Sequence, residues 1–124
     1  MHIAIKRIYD PVTKADGKRV LVDRLWPRGI SKERAHLDLW LKEIAPSTEL
    51  RKEFCHKAEY WLAFQHGYYQ ELKDNPHISE LREIAKHGQL TLIYAAKDPE
   101  LNHALVLENY LLGKEIKEIK EIKA

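Results

Sequence analysis

A single cysteine, Cys55, stands among 124 residues, so no disulfide can form within the chain and no cysteine pair can hold zinc. Glycine is nearly as scarce, and its five copies are isolated from one another. There is no G-x-G-x-x-G and no P-loop, so a nucleotide-cradling glycine loop has nothing to be built from. The seven histidines, His2, His36, His56, His66, His77, His87 and His103, include no i, i+4 pair and no H-E-x-x-H spacing. No metal site and no cofactor is therefore expected. Long apolar runs are missing too. None reaches the ~20 residues of a membrane span. The start, Met1-His2-Ile3-Ala4-Ile5-Lys6-Arg7, meets charge before the roughly 7–15-residue apolar core of a signal peptide could develop. A cytoplasmic protein with no membrane partner is the expectation.

Charge of one sign is also lacking: 21 Lys and Arg face 19 Asp and Glu, a net +2. Such a balance excludes a surface built wholly for nucleic acid. The distribution is uneven, however. Residues 1–34 carry nine basic and four acidic side chains, a net +5, and the other ninety carry −3. The basic third can present an anion-binding surface or merely scattered solvated charge. Hydrophobic residues at 44% and charged residues at 32% are ordinary for one folded domain.

Apolar patterning predicts an α/β fold. Residues 3–8 read as a half-buried strand, ended by Asp10-Pro11, and Asp16-Gly17 signals a turn. A second strand opens at Val20-Leu21-Val22 and runs to Trp26, where Pro27 and Gly29 stop it. These two are either antiparallel neighbours or parallel with something between them. Leu37, Trp40, Leu41 and Ile44 recur at i, i+3, i+4, i+7, which predicts a helix over residues 32–43. Ser47 is a suitable N-cap for a helix carrying Leu50 and Phe54. A longer helix bears Trp61, Phe64, Tyr68 and Leu72, and Asn75-Pro76 opens another that closes at His87-Gly88. Residues 90–95 are a mostly apolar strand, and Asp98-Pro99 starts the last helix. The sum is a small three-layer domain over residues 1–113, with about three central strands in a partly parallel sheet and about five helices. Residues 114–124 repeat Lys-Glu-Ile, a spacing that drifts around a helix, and read as a frayed or partner-dependent tail.

Two segments carry the chemistry. In Val22-Asp23-Arg24-Leu25-Trp26-Pro27-Arg28-Gly29 an apolar strand brings charge to its carboxyl end, where open α/β sheets bind ligands. Either charge buried alone would cost several kcal/mol. Arg24 and Arg28 suit a phosphate or carboxylate, with Trp26 beside them. The plainer alternative pairs Asp23 with an arginine and makes Trp26 a core plug. The second segment, Tyr94 to His103, follows the third strand and places Lys97, Asn102 and His103 near a helix mouth. Asp98 reads as an N-cap. Asp23 and His103 are the candidate acid and base, and Arg24, Trp26, Arg28, Lys97 and Asn102 the candidate ligand contacts.

The blocks V-L-V-D-R-L-W-P-R-G (20–29), A-P-S-T-E-L-R (45–51) and Y-A-A-K-D (94–98) with Asn102-His103-Ala104 together resemble the YeaO-like family, domain of unknown function 488. The resemblance spans the chain to about Leu112 and implies a small α/β domain without naming a reaction. The family pattern at 54–57 is expected to read Phe, Gly, His, Asp, so His56 matches while Cys55 and Lys57 depart. Cys55 is then expected to be a small buried hydrophobe rather than a shared nucleophile. Three functions stay open: a small-anion pocket in an enzyme or binding protein, a nucleic-acid binder using the basic third, and a protein-interaction module. Against the second, the segments flanking Pro46 make a poor helix-turn-helix, because Glu49 and Glu53 would face a polyanion.

Overall fold

The structure, a computed structural model, describes residues 1–55 and 57–116. Its centre is a parallel sheet of four strands in the order β1-β4-β2-β3, namely β1 (His2–Arg7), β2 (Lys18–Leu21), β3 (Leu39–Trp40) and β4 (Gln89–Tyr94). The first two strands are therefore parallel with β4 between them. Five helices surround the sheet: α1 (Lys32–Ala35), α2 (Thr48–Phe54), α3 (Trp61–Lys73), α4 (Ile78–His87) and α5 (His103–Leu111). Among the described residues no helix is long and apolar enough to cross a membrane.

Alternation along the strands divides the interior in two. Val20, Val22, Leu90, Leu92 and Tyr94 face one side with Leu50, Phe64, Tyr68, Leu81 and Leu107 from the helices α2 to α5. Leu21 and Ile93 face the other side, against Ile8, Ile30 and Ala35. One outer layer is thus a full set of helices, and the opposite one is thin, made of α1 and the loops beside it. Each fully buried leucine in the thick layer contributes about 1.5–3 kcal/mol.

The fourth strand explains where the expected helix over 32–43 went. The chain is helical for only four residues, and His36 then takes a left-handed conformation at φ 47°. Leu39 and Trp40 pair with Val20 and Leu21, and the Leu41 amide donates to the Leu21 carbonyl. Leu37 and Trp40 pack in the thin layer, whereas Leu41 and Ile44 enter the thick one. The i, i+3, i+4, i+7 spacing therefore served two faces of a sheet edge, and tertiary pairing overrode it. The last helix also begins later than Asp98-Pro99. Asp98 Oδ1 accepts from the Glu100 and Leu101 amides, which makes a turn, and Asn102 is the true N-cap of α5. Cys55 is exposed, not buried. It terminates α2 at φ 48°, a left-handed position that glycine occupies without cost. His56 and residues 117–124, which hold most of the Lys-Glu-Ile tail, lie outside the described residues.

Asp16 knots the amino-terminal edge of the sheet. Its carboxylate accepts from Lys6 Nζ at 2.9 Å, Arg19 Nη1 at 2.6 Å, and the Thr13 amide and hydroxyl at 3.1 and 2.9 Å. Thr91 Oγ1 donates to the Asp16 carbonyl at 2.6 Å. Gly17 follows at φ 62°, and a Cβ there would meet the Gln89 carbonyl oxygen at 2.3 Å, so only glycine fits. Burial raises the Asp16 pKa, but the hydrogen bonds from Lys6, Thr13 and Arg19 outweigh it and hold the carboxyl well below its ordinary value.

A depressed native pKa means that this contribution is complete above the unfolded value near pH ~3.9 and is lost as the pH falls below it. Asp16→Asn is expected to cost about 3–5 kcal/mol at pH 7, because it leaves Arg19 buried without its counter-charge. Urea unfolding at pH 7 and pH 3 checks this, and the variant should lose less stability between the two than the parent. Cys55→Gly should raise stability by up to ~1 kcal/mol by relieving the left-handed backbone, readable as a higher melting temperature.

Candidate functional site

Because β2 and β4 are adjacent and parallel, the segments that leave them run side by side. The Val22 amide donates to the Ile93 carbonyl at 3.0 Å, and Asp23 then turns to accept the Ala95 amide on Oδ2 at 3.0 Å. Trp40 Nε1 donates to the Asp23 carbonyl at 2.8 Å, and Trp26 Nε1 to the Ile30 carbonyl at 2.6 Å. The two indoles meet edge to face with centroids 5.3 Å apart. Arg7 secures the other strand exit by donating to the carbonyls of Ala95 and Ala96, and its guanidinium lies 4.9 Å from the centre of the Tyr9 ring. Tyr9 in turn donates its hydroxyl to the Arg28 carbonyl at 3.0 Å.

These tethered segments and α2, α3 and α5 enclose a cavity of about 410 Å³ at the carboxyl edge. Asp23, Trp26, Arg28 and His103 line it, as do Arg51 from α2 and Phe64 from α3. Arg28 and Arg51 are both exposed. The other expected contacts lie elsewhere. Arg24 donates from Nη2 to the Pro46 carbonyl at 3.3 Å and Lys97 is an exposed loop residue, and neither lines the cavity. Asn102 is 1% exposed and its amide is fully engaged: Oδ1 accepts the Leu105 amide and Nδ2 donates to the Asp98 carbonyl. It positions α5, and with it His103, and does not line the cavity.

His103 is the first residue of α5, and its Nε2 lies 3.0 Å from the Val22 carbonyl oxygen and 3.1 Å from Asp23 Oδ1. A carbonyl only accepts, so Nε2 carries the proton, and in the neutral ring Nδ1 keeps the lone pair. The proton points at Val22. Asp23 Oδ1, though buried and close to the imidazole, receives no aligned hydrogen bond among the described residues. The contact becomes an ion pair when both ring nitrogens are protonated. Below it, the Tyr68 ring meets the imidazole edge-on with centroids 6.3 Å apart. Its hydroxyl donates to the Ile44 carbonyl, and burial pushes the phenol well above its ordinary value, so it serves as a neutral prop.

Asp23 and His103 thus lie side by side as a carboxylate and an imidazole. The cavity lining has no serine, threonine, cysteine or lysine, so no side-chain nucleophile of those types is in place. Ser47 is engaged elsewhere: it caps α2 and donates its hydroxyl to Glu71 Oε2 at 2.6 Å. Among the described residues no group of three or more His, Cys, Asp or Glu could hold a metal ion.

Residues 2–123 match the family model described as the inactive DUF488-N3 subclade. This chain belongs to that family. Within the wider group, it is 50% identical to the uncharacterized protein YeaO of Escherichia coli (strain K12) over 112 residues, which cover 90% of this chain and 97% of that one. It is 37% identical to the uncharacterized protein Rv3073c of Mycobacterium tuberculosis (strain ATCC 25618 / H37Rv), again over 112 residues, covering 90% and 95%. No solved structure matches. In this DUF488-N3 member the cavity gathers residues from stretches as far apart as Tyr9 and His103. Arg51 lines the cavity although the sequence marked it only as a surface or pocket charge beside the Ser47 cap, at the end of the A-P-S-T-E-L-R block.

Asn102→Ala should cost about 1–2 kcal/mol through loss of the cap and should shift the imidazole NMR signals of His103 in the folded protein. Unchanged signals would mean that Asn102 does not position the ring.

Proposed function

We propose that this protein binds a small anion, a phosphate or carboxylate, in the cavity at the carboxyl ends of β2 and β4, and holds it without turning it over. The observation that carries this reading is that Arg28 and Arg51, from different elements, line the same cavity as Asp23 and His103. Two arginines lining one cavity suit an anion with several acceptor oxygens, each charge-assisted hydrogen bond being worth about 1.5–3 kcal/mol. The Asp23–His103 pair then serves the ligand's polar edge. Binding without chemistry is favoured by the matching family model being that of an inactive subclade. The same reading makes the protein a cytoplasmic binding module.

Melting the protein with inorganic phosphate, ribose 5-phosphate and simple carboxylates tests the proposal, since a ligand that binds only the native state raises the melting temperature. At least one anion should stabilise the fold. Arg28→Ala and Arg51→Ala should each weaken that effect about tenfold in concentration or more. An absence of any shift, or a shift indifferent to both substitutions, would overturn it.

A further inference from the structure

Resting on the anion-binding reading, the geometry points to a more specific occupant: a flat aromatic ring that carries one anionic group, the chemistry shared by a nucleoside monophosphate and an aromatic carboxylate. A bare phosphate has no use for ring surface, yet Trp26, Phe54 and Phe64 reach this cavity from three separate segments. The volume of about 410 Å³ falls within the ~300–1,000 Å³ typical of sites for drug-sized molecules, well beyond what an inorganic anion fills.

The rings are held in place before any ligand arrives. Trp26 is fixed by its bond to Ile30 and its contact with Trp40, and Phe54 stacks on Phe64 with centroids 4.6 Å apart. Phe54 and Phe64 are each only 3% exposed and back the wall, so the ring surface offered to a planar guest is mainly that of half-buried Trp26, which loses little side-chain freedom on binding. At the mouth, Leu25 is 70% exposed although it is apolar, and it lines the same cavity. An entering ring would cover it. The charges complete the pattern. Arg28 and Arg51 stand at the rim to take the anionic group. Deeper, His103 Nδ1, which has no partner among the described residues, can accept from a ring N–H or O–H. The site is apolar along its wall, cationic at its rim and hydrogen-bonding at its base.

Calorimetric titration of the full chain separates the parts of this idea. The ligands are adenosine and guanosine 5′-monophosphates, indole-3-carboxylate, and the fragments adenosine, ribose 5-phosphate and inorganic phosphate. A ring-bearing anion should bind at least tenfold tighter than any fragment, and whether the nucleotides or the carboxylate do so identifies the source of the ring. Trp26→Leu should remove most of that advantage. Leu25→Ala, at an exposed position that leaves the fold intact, should weaken the ring-bearing anions severalfold and leave inorganic phosphate unchanged. Equal affinity for phosphate and for the ring-bearing anions would overturn the ring requirement while the anion site stands. Equal affinity for adenosine and its monophosphate would overturn the role of the arginines, and binding of none of these ligands would overturn both readings.

Discussion

Asp16 is a carboxylate almost wholly removed from water, and the donors that converge on it come from parts of the chain that must be brought together to make the sheet. Lys6 of β1, Arg19 of β2 and the Thr13 turn between them serve the carboxylate, and Thr91 of β4 donates to the Asp16 backbone carbonyl. Arg19 extends the knot. Its guanidinium also donates to the carbonyls of Ala35 and His36, which closes the end of α1 and starts the chain toward β3. Two buried charges are expensive unless every lone pair and proton is served, and here nearly all are. The register of the whole sheet therefore rests on one satisfied ion cluster. Asp23, at the opposite edge, differs in kind: one oxygen is engaged by the Ala95 amide and the other is left without an aligned donor.

Most of the framework was legible because short apolar strands and capped helices leave local marks. Residues 3–8 and 90–95 alternate or run apolar in the manner of strands, and the faces of α3 and α4 repeat at helical spacing. The misreading at 32–43 came from the one place where two kinds of order share a spacing. Leu37 and Trp40 belong to one side of the sheet edge and Leu41 and Ile44 to the other, and no local rule separates that from a helix stripe. The late start of α5 has a similar origin. Asp98-Pro99 has the right chemistry for a cap, but it is spent on a turn four residues before the cap that is used.

The site was legible as far as strand ends could take it. The rule that ligands gather where parallel strands end brought Asp23, Trp26 and Arg28 together with His103, because β2 and β4 are true neighbours. It did not foresee that Arg24 turns to Pro46 or that Asn102 is consumed by its own helix, since side-chain direction beyond a strand end depends on contacts made far away in sequence. Arg51 was left between a surface and a pocket charge for the converse reason: nothing near it in the sequence says where α2 docks.

The order of strands has a bearing on how the chain assembles. Strand β1 lies at the edge of the sheet, and its neighbour there is β4, so His2 must wait for Gln89. During translation β1 remains without its partner until β4 has been made, and β2 likewise lacks its central neighbour. Parallel pairing across such a span is slow to nucleate. Insertion of β4 then joins both halves at once, and the same event brings Ala95 to Asp23 and sets α5 in position for His103. The cavity cannot exist in a half-made molecule, so the cell would meet this protein either unassembled or with its pocket complete.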